Sequence, residues 1–291
     1  MSPASGCAAG ASPWEDAPRR LRRNLPAMVG LGILLGFVLA AALAPWITSY
    51  VYDKTDLPYG PKPPNWAHPL GTDELGRDLL TRILYGARIS FAVGLLASAV
   101  SLTIGVTYGA IAGFRGGRVD HVMMRIVDIL YGLPFMFFVI LLMVFLGRNI
   151  LNLFIALGAV QWLTMARIVR GQVLSLRVRE FVLAAHAIGA TPGRVLVRHL
   201  LPNTVGPIVV YATLTVPAIM LEEAFLSFLG LGVQPPMASW GSLAAEGAAA
   251  MEAYPWLIVF PGSALTLTLL SLNFLGDGLR DAFDPQLSGR Q

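Results

Sequence analysis

Residues 180–203 read EFVLAAHAIGATPGRVLVRHLLPN. Two short helices around a turn are expected here. Phe181, Ala184, Ala185 and Ile188 fall at i, i+3, i+4 and i+7 and make one apolar face. Gly189 is placed to end the first helix, because a residue without Cβ takes a left-handed C-cap at little cost. Thr191 caps the second helix and Pro192 fills its first position, where a missing N–H is harmless. Arg177, Arg179, Arg194 and Arg198 flank or interrupt the apolar face, which puts the unit in water beside a membrane. Helices this short bury little on each other, so they need a partner surface. The small Ala184, Ala185 and Gly189 would let another protein's backbone come close; a loop resting on the lipid surface is the plainer alternative.

The rest of the chain supplies the membrane. Of its 291 residues 55% are hydrophobic and 13% charged, with a mean hydropathy of +0.65. That composition belongs to a polytopic membrane protein rather than a soluble domain. Six spans are expected, at about 27–47, 89–112, 129–146, 150–165, 205–232 and 256–275. Residues 1–18 are small and polar and read as disordered, and the apolar run behind Arg19, Arg20, Arg22 and Arg23 reads as a span rather than a cleavable signal. With the N-terminus inside, the inner segments hold 15 of the 21 basic residues, among them Arg115, Arg118, Arg125, Arg167, Arg170, Arg280 and Arg290. The outer segments hold the other 6, Lys54, Lys62, Arg77, Arg82, Arg88 and Arg148. The imbalance puts both termini and residues 180–203 in the cytoplasm.

Between the first two spans, residues 50–88 begin with a proline-rich, extended stretch. Thr72 or Asp73 would then cap an amphipathic helix carrying Leu75, Leu79, Leu80 and Ile83 at the outer face; the alternative is a solvated connector. Gly116 and Gly117 permit a tight inner turn, and Asp120, Arg125 and Asp128 are expected to pair locally. Gly105, Gly109 and Gly113 mark a face for close helix contact. Pro134 would kink the third span.

The fifth span is the odd one. At 28 residues it would run about 42 Å against a hydrocarbon core of about 30 Å. It carries Pro207, Pro217 and the pair Glu222 and Glu223. The helix is expected to end near that pair, with the following residues turning back across the outer mouth. Intramembrane carboxyls face water, a partner or a substrate path. Glu223, ahead of Glu222, is therefore a candidate for lining the path or holding a gate; a structural role stands beside that reading. The last outer loop, 234–255, has Glu246 and Glu252 but no basic residue, and would serve a docking protein or act as a passive connector.

Several strings resemble one family. Ala184-Ala185, Gly189 and then Leu201-Pro202 are similar to the cytoplasmic loop of ABC-importer permeases. His68 to Asp78, Glu223 in EAFLSFLGLGVQPP with Ser239-Trp240-Gly241, and Gly276 to Pro285 resemble the peptide and nickel branch, in its C-type subunit. The likeness runs from about Pro69 to Pro285. One departure is that the acid many members place before the two alanines is Leu183 here, the nearest being Glu180 one turn earlier. The resemblance implies an all-α bundle in a bacterial inner membrane. Its parts would be a tail at 1–25, a first span and outer loop at 26–88, a permease domain at 89–275 and a tail at 276–291. It implies a sister permease, two ATPase subunits and an extracytoplasmic peptide-binding protein, with ATP and Mg held by the ATPases and alternating access as the mechanism. Glu180, Ala184, Ala185, Gly189, Leu201 and Pro202 would meet the ATPase.

Other chemistry is missing from the sequence. The only lysines, Lys54 and Lys62, do not follow a glycine, so there is no phosphate-binding Walker loop. Cys7 is the sole cysteine and His68, His121, His186 and His199 are scattered, so no metal site and no intrachain disulfide is expected. No cofactor and no nucleic acid is expected on this chain, and no enzyme activity, since no nucleophile–base pair is visible. The rival from another class is a self-powered, proton-coupled secondary transporter using Glu222 and Glu223.

Overall fold

The computed structural model describes residues 13–283. Cys7, Asp284, Arg290, most of the amino-terminal segment expected to be disordered and the last residues of the expected tail lie outside the described residues. The helices are α1 (Pro13–Arg23), α2 (Leu25–Ala42), α3 (Ala44–Ile47), α4 (Leu79–Arg115), α5 (Gly117–Tyr131), α6 (Phe135–Leu146), α7 (Ile150–Leu176), α8 (Glu180–Ala187), α9 (Pro192–Val195), α10 (Leu201–Phe228), α11 (Trp240–Ala249) and α12 (Trp256–Phe283). A single π-helical turn, Leu196–Leu200, joins α9 to α10. Among the described residues there is no strand, only one isolated antiparallel bridge between Thr72 and Asp78.

Five helical stretches are long and apolar enough to cross a membrane: Leu25–Ala42, Leu79–Arg115, Ile150–Leu176, Pro192–Phe228 and Trp256–Phe283. The expected third span is different. Its place is taken by α5 and α6, bent 86° from each other. Pro134 stands at the break as the residue before α6, and Gly132 closes α5. A proline there removes the N–H that would carry α5 onward, so the kink becomes a break.

The bundle is organised on α4 and α7, which make its broadest helix contact. Their axes come close because glycine stands where a side chain would collide. A Cβ on Gly105 would lie 2.6 Å from Met165 Cβ, and one on Gly109 would strike the Ala166 carbonyl oxygen. Gly158 answers from α7, where a Cβ would meet Val100 Cβ at 2.7 Å. The face expected from Gly105, Gly109 and Gly113 is this seam.

Several boundaries differ from the sequence expectation. The helix expected from Thr72 or Asp73 begins at Leu79, and it is no separate surface helix but the first turns of a 37-residue α4. Asp78 is its cap, accepting from Thr81 N at 2.8 Å and Thr81 Oγ1 at 2.6 Å. Asp73 is spent on a turn instead, its Oδ1 accepting from Leu75 N and Arg77 N at 2.9 Å. Nor are residues 68–78 a solvated connector. Asp73 and Asp78 are buried, Asp78 Oδ1 meets His68 Nδ1 at 2.8 Å, and Arg82 joins Asp73 at 2.7 Å to Glu246 of α11 at 2.8 Å. Residues 13–23 form α1 rather than part of a disordered tail; Ala17 is buried, and Leu21 lies against Gly278 of α12. The fourth span runs on to Leu176, and α12 runs on through 276–283, with Gly276, Gly278 and Ala282 buried where a tail was expected. Asp120 and Asp128 do not pair locally: Asp120 holds Arg170 through two bonds, one at 2.6 Å, and Asp128 accepts from Arg167 at 2.8 Å. These pairs pin α5 to α7.

Candidate functional site

Two places carry the residues singled out from the sequence, at opposite parts of the bundle. The first is α8. Its end is a complete Schellman closure: Gly189 N donates to His186 O and Ala190 N to Ala185 O, each at 3.0 Å, with Gly189 at φ +84°. Thr191 is extended and Pro192 opens α9, as the sequence implies, although Thr191 makes no side-chain capping bond. The second short helix does not stay short. It runs through the π turn into α10, with Leu201 N bonded to Leu196 O. Pro202 supplies the reason, since its ring and missing N–H cannot accommodate ordinary α bonding to the preceding turn.

One side of α8 packs inward. Val182 and Ala185 are buried, joined in one apolar cluster by Val195, Leu200, Met165, Val169 and Val173. Phe181, Leu183 and Ile188 point away, and Ile188 is 86% exposed. Of the residues expected to meet a partner, Glu180, Ala184 and Gly189 are exposed on α8 and its closure, while Ala185 anchors the helix from behind. Leu201 is half-buried and Pro202 exposed, both in the first turn of α10. The result is a short helix whose inner side joins the apolar cluster and whose outer surface carries bare apolar side chains.

The second place is the far half of α10. The helix does not stop at the acidic pair; it continues to Phe228, and residues 229–239 then turn back to α11. Glu222 and Glu223, about 100° apart around the helix, meet different surroundings. Glu223 is 2% exposed, and its Oε1 accepts from Ser227 Oγ at 2.8 Å and Ser239 Oγ at 2.7 Å. Ser239 also caps α11, accepting from Ser242 N at 3.0 Å. Trp240 is fully buried, donating from its indole to Ile83 O and from its amide to Ser90 Oγ, both at 2.9 Å. Gly241 completes the clasp, because a Cβ there would stand 2.7 Å from Glu223 Oε2. The Ser239-Trp240-Gly241 string and Glu223 thus fasten α11 to α10 and α4.

Glu222 faces a cavity of about 350 Å³ instead, lined among others by Leu130, Tyr131, Phe138, Gln161 and Thr164. Gln161 Nε2 donates to Glu222 Oε1 at 2.6 Å, while Oε2, also shielded from solvent, has no partner. Tyr131 and Thr164 bond to each other through their hydroxyls. The cavity sits where the α5–α6 break opens beside α7 and α10, so the acid expected to be the lesser candidate is the one at an opening. Gln161, Tyr131 and Thr164 were not picked out from the sequence. A glutamine inside the apolar run from Phe154 to Leu163 was the available signal. Among the described residues no cluster of three potential metal ligands occurs.

Comparison with known proteins adds to this geometry. A family model described as binding-protein-dependent transport system inner membrane component matches residues 105–289, and one described as the N-terminal TM domain of oligopeptide transport permease C matches residues 12–64. The chain is 50% identical over 279 residues to the oligopeptide transport system permease protein OppC of Haemophilus influenzae, covering 95% of this chain and 90% of that one. It is 48% identical over 274 residues to the dipeptide transport system permease protein DppC of Bacillus subtilis, covering 94% and 86%. Among solved structures, the inward-facing MetNI methionine ABC transporter aligns over 69% of this chain and 96% of that chain, with a TM-score of 0.55 and 17% sequence identity. That last likeness shows a shared fold.

Proposed function

The chain belongs to the binding-protein-dependent transport system inner membrane components, as a permease subunit of an ABC importer, and on that premise we propose that its cargo is peptides and that α8 is where it receives its power stroke. It is a multi-pass protein of the bacterial inner membrane. The peptide assignment rests on the relatives, which serve oligopeptide and dipeptide systems. A sister permease would complete the path, two ATPase subunits would bind and hydrolyse ATP with Mg, and an extracytoplasmic binding protein would deliver the peptide. This chain would bind no cofactor and perform no hydrolysis itself. The proton-coupled alternative gains no support, and its paired carriers do not form a pair: one acid is clasped by two serines and the other faces a cavity.

The observation that carries the coupling role is the two-sidedness of α8. Val182 and Ala185 tie it to α7 and the start of α10, while Leu183 and Ile188 stand bare. A push on the bare side is thereby delivered to two membrane-crossing helices at once. Glu180 at the first turn adds a negative charge at the helix's positive end and stays exposed to a partner. Alternating access would then rock α7 and α10 about the cavity at Glu222. Inserting two residues between Ala185 and Gly189 in the transporter reconstituted with all of these partners tests this. ATP hydrolysis without uptake is expected; undiminished uptake would remove the coupling role.

A further inference from the structure

The cavity beside the α5–α6 break holds a carboxyl whose hydrogen-bonding capacity is half used. Glu222 Oε1 has Gln161, and Oε2 has nothing. A carboxyl oxygen has room for more than one hydrogen bond, and a buried polar atom left unmet is costly. Among the described residues no hydrogen bond reaches Oε2. No lysine or arginine lines the cavity. Arg167, on the same helix as Gln161, is already engaged, donating to Asp128 at 2.8 Å and lying over the Tyr131 ring at 4.1 Å. The Tyr131 hydroxyl is hydrogen-bonded to Thr164. Leu130, Leu133, Phe138 and Val160 make the remaining wall apolar.

One acid, one amide and an apolar, aromatic wall select a cation rich in N–H donors with an apolar attachment. A divalent metal is a poor match, since it takes about six oxygen ligands. The volume, about 350 Å³, is at the small end of ligand sites and suits the end of a chain rather than a whole one. We infer that Glu222, oriented by Gln161, receives the α-ammonium group of a peptide in transit, with Tyr131 and Phe138 beside its first side chain. This deepens the peptide-importer reading and rests on it.

Equilibrium binding of radiolabelled tri-alanine to the assembled transporter in lipid nanodiscs, without the soluble binding protein or nucleotide, reads the site directly. Wild type should bind tri-alanine, and its N-methyl form, at least about tenfold more tightly than N-acetyl tri-alanine, which lacks the ammonium charge. Glu222→Gln should weaken tri-alanine about tenfold and erase the preference, and Gln161→Met should have a smaller effect in the same direction. Absence of saturable tri-alanine binding, equal affinity for the charged and acetylated peptides, or a preference that survives Glu222→Gln would overturn the inference. ATP hydrolysis by the same preparations separates the two levels. A complex that hydrolyses ATP in response to the binding protein yet fails the binding test refutes this site alone; a chain that never engages an ATPase refutes the importer reading and this inference with it.

Discussion

Glu223→Ala is expected to unfasten α11 from the bundle while leaving the cavity alone. Glu223 accepts two hydroxyl bonds, at 2.8 Å from Ser227 and 2.7 Å from Ser239, and is 2% exposed. Alanine removes the shared acceptor and leaves two hydroxyls to find new partners, one of them on a fully buried serine. Each unmet group costs about 1–3 kcal/mol, and the vacated volume adds a cavity cost. The loss is therefore about 3–5 kcal/mol. It should spread to the start of α4, because Ser239 positions Trp240, whose two bonds end on Ile83 and Ser90. Glu223→Gln keeps an oxygen in the shared position and should lose about 1 kcal/mol, because the amide nitrogen that replaces Oε2 must be accommodated beside Gly241. Thermal unfolding of the detergent-purified complex, followed by fluorescence-detected gel filtration, checks the ranking of wild type, Gln and Ala. Tri-alanine affinity should be unchanged in whichever variants stay folded. A Glu223→Ala complex as stable as wild type but unable to transport would refute the clasp and return Glu223 to the path.

Three further outcomes follow from the packing. Gly109→Leu should abolish assembly or cost at least about 3 kcal/mol, since the side chain would enter the Ala166 backbone across the α4–α7 seam; recovery of normally stable protein would mean the seam is looser than drawn. Asp120→Ala should destabilise by about 1–2 kcal/mol, less than a fully buried pair would, because the Arg170 side chain is 34% exposed; chemical unfolding reads it, and an unchanged midpoint would show that α5 is not pinned there. Reporter fusions after His186 should give a cytoplasmic signal, and an external signal would overturn the orientation argued from the arginine counts.

The bundle was legible in the sequence because apolar length is what a membrane demands, and Leu25–Ala42 and Trp256–Phe283 announce themselves that way. Helix ends were less legible. Arg167 and Arg170 argued for stopping the fourth span early, yet both are matched by aspartates on α5, so α7 continues past them. The same blindness to distant partners made 276–283 read as a tail, while the cap expected at Thr72 or Asp73 moved to Asp78 because Asp73 closes a local turn. On α8, spacing gave an apolar face containing Phe181 and Ile188, which stay exposed, while the inward packing of Val182 and Ala185 depends on where α7 lies and could not be read from spacing. At Glu222 and Glu223 the pair was visible, while its division of labour was not. That depends on Ser239, 16 residues on, and Gln161, 61 residues back.

The central claim is that energy reaches the membrane helices through the bare side of α8. Leu183 and Ile188, 58% and 86% exposed, can both become glutamate without disturbing the buried Val182 and Ala185. ATP-driven peptide uptake by the reconstituted double variant, compared with its thermal stability, is the most direct measurement. The account predicts unchanged stability with uptake reduced at least about tenfold, in line with charging the centre of an apolar contact at about 2 kcal/mol or more. Full uptake with both glutamates in place would contradict it.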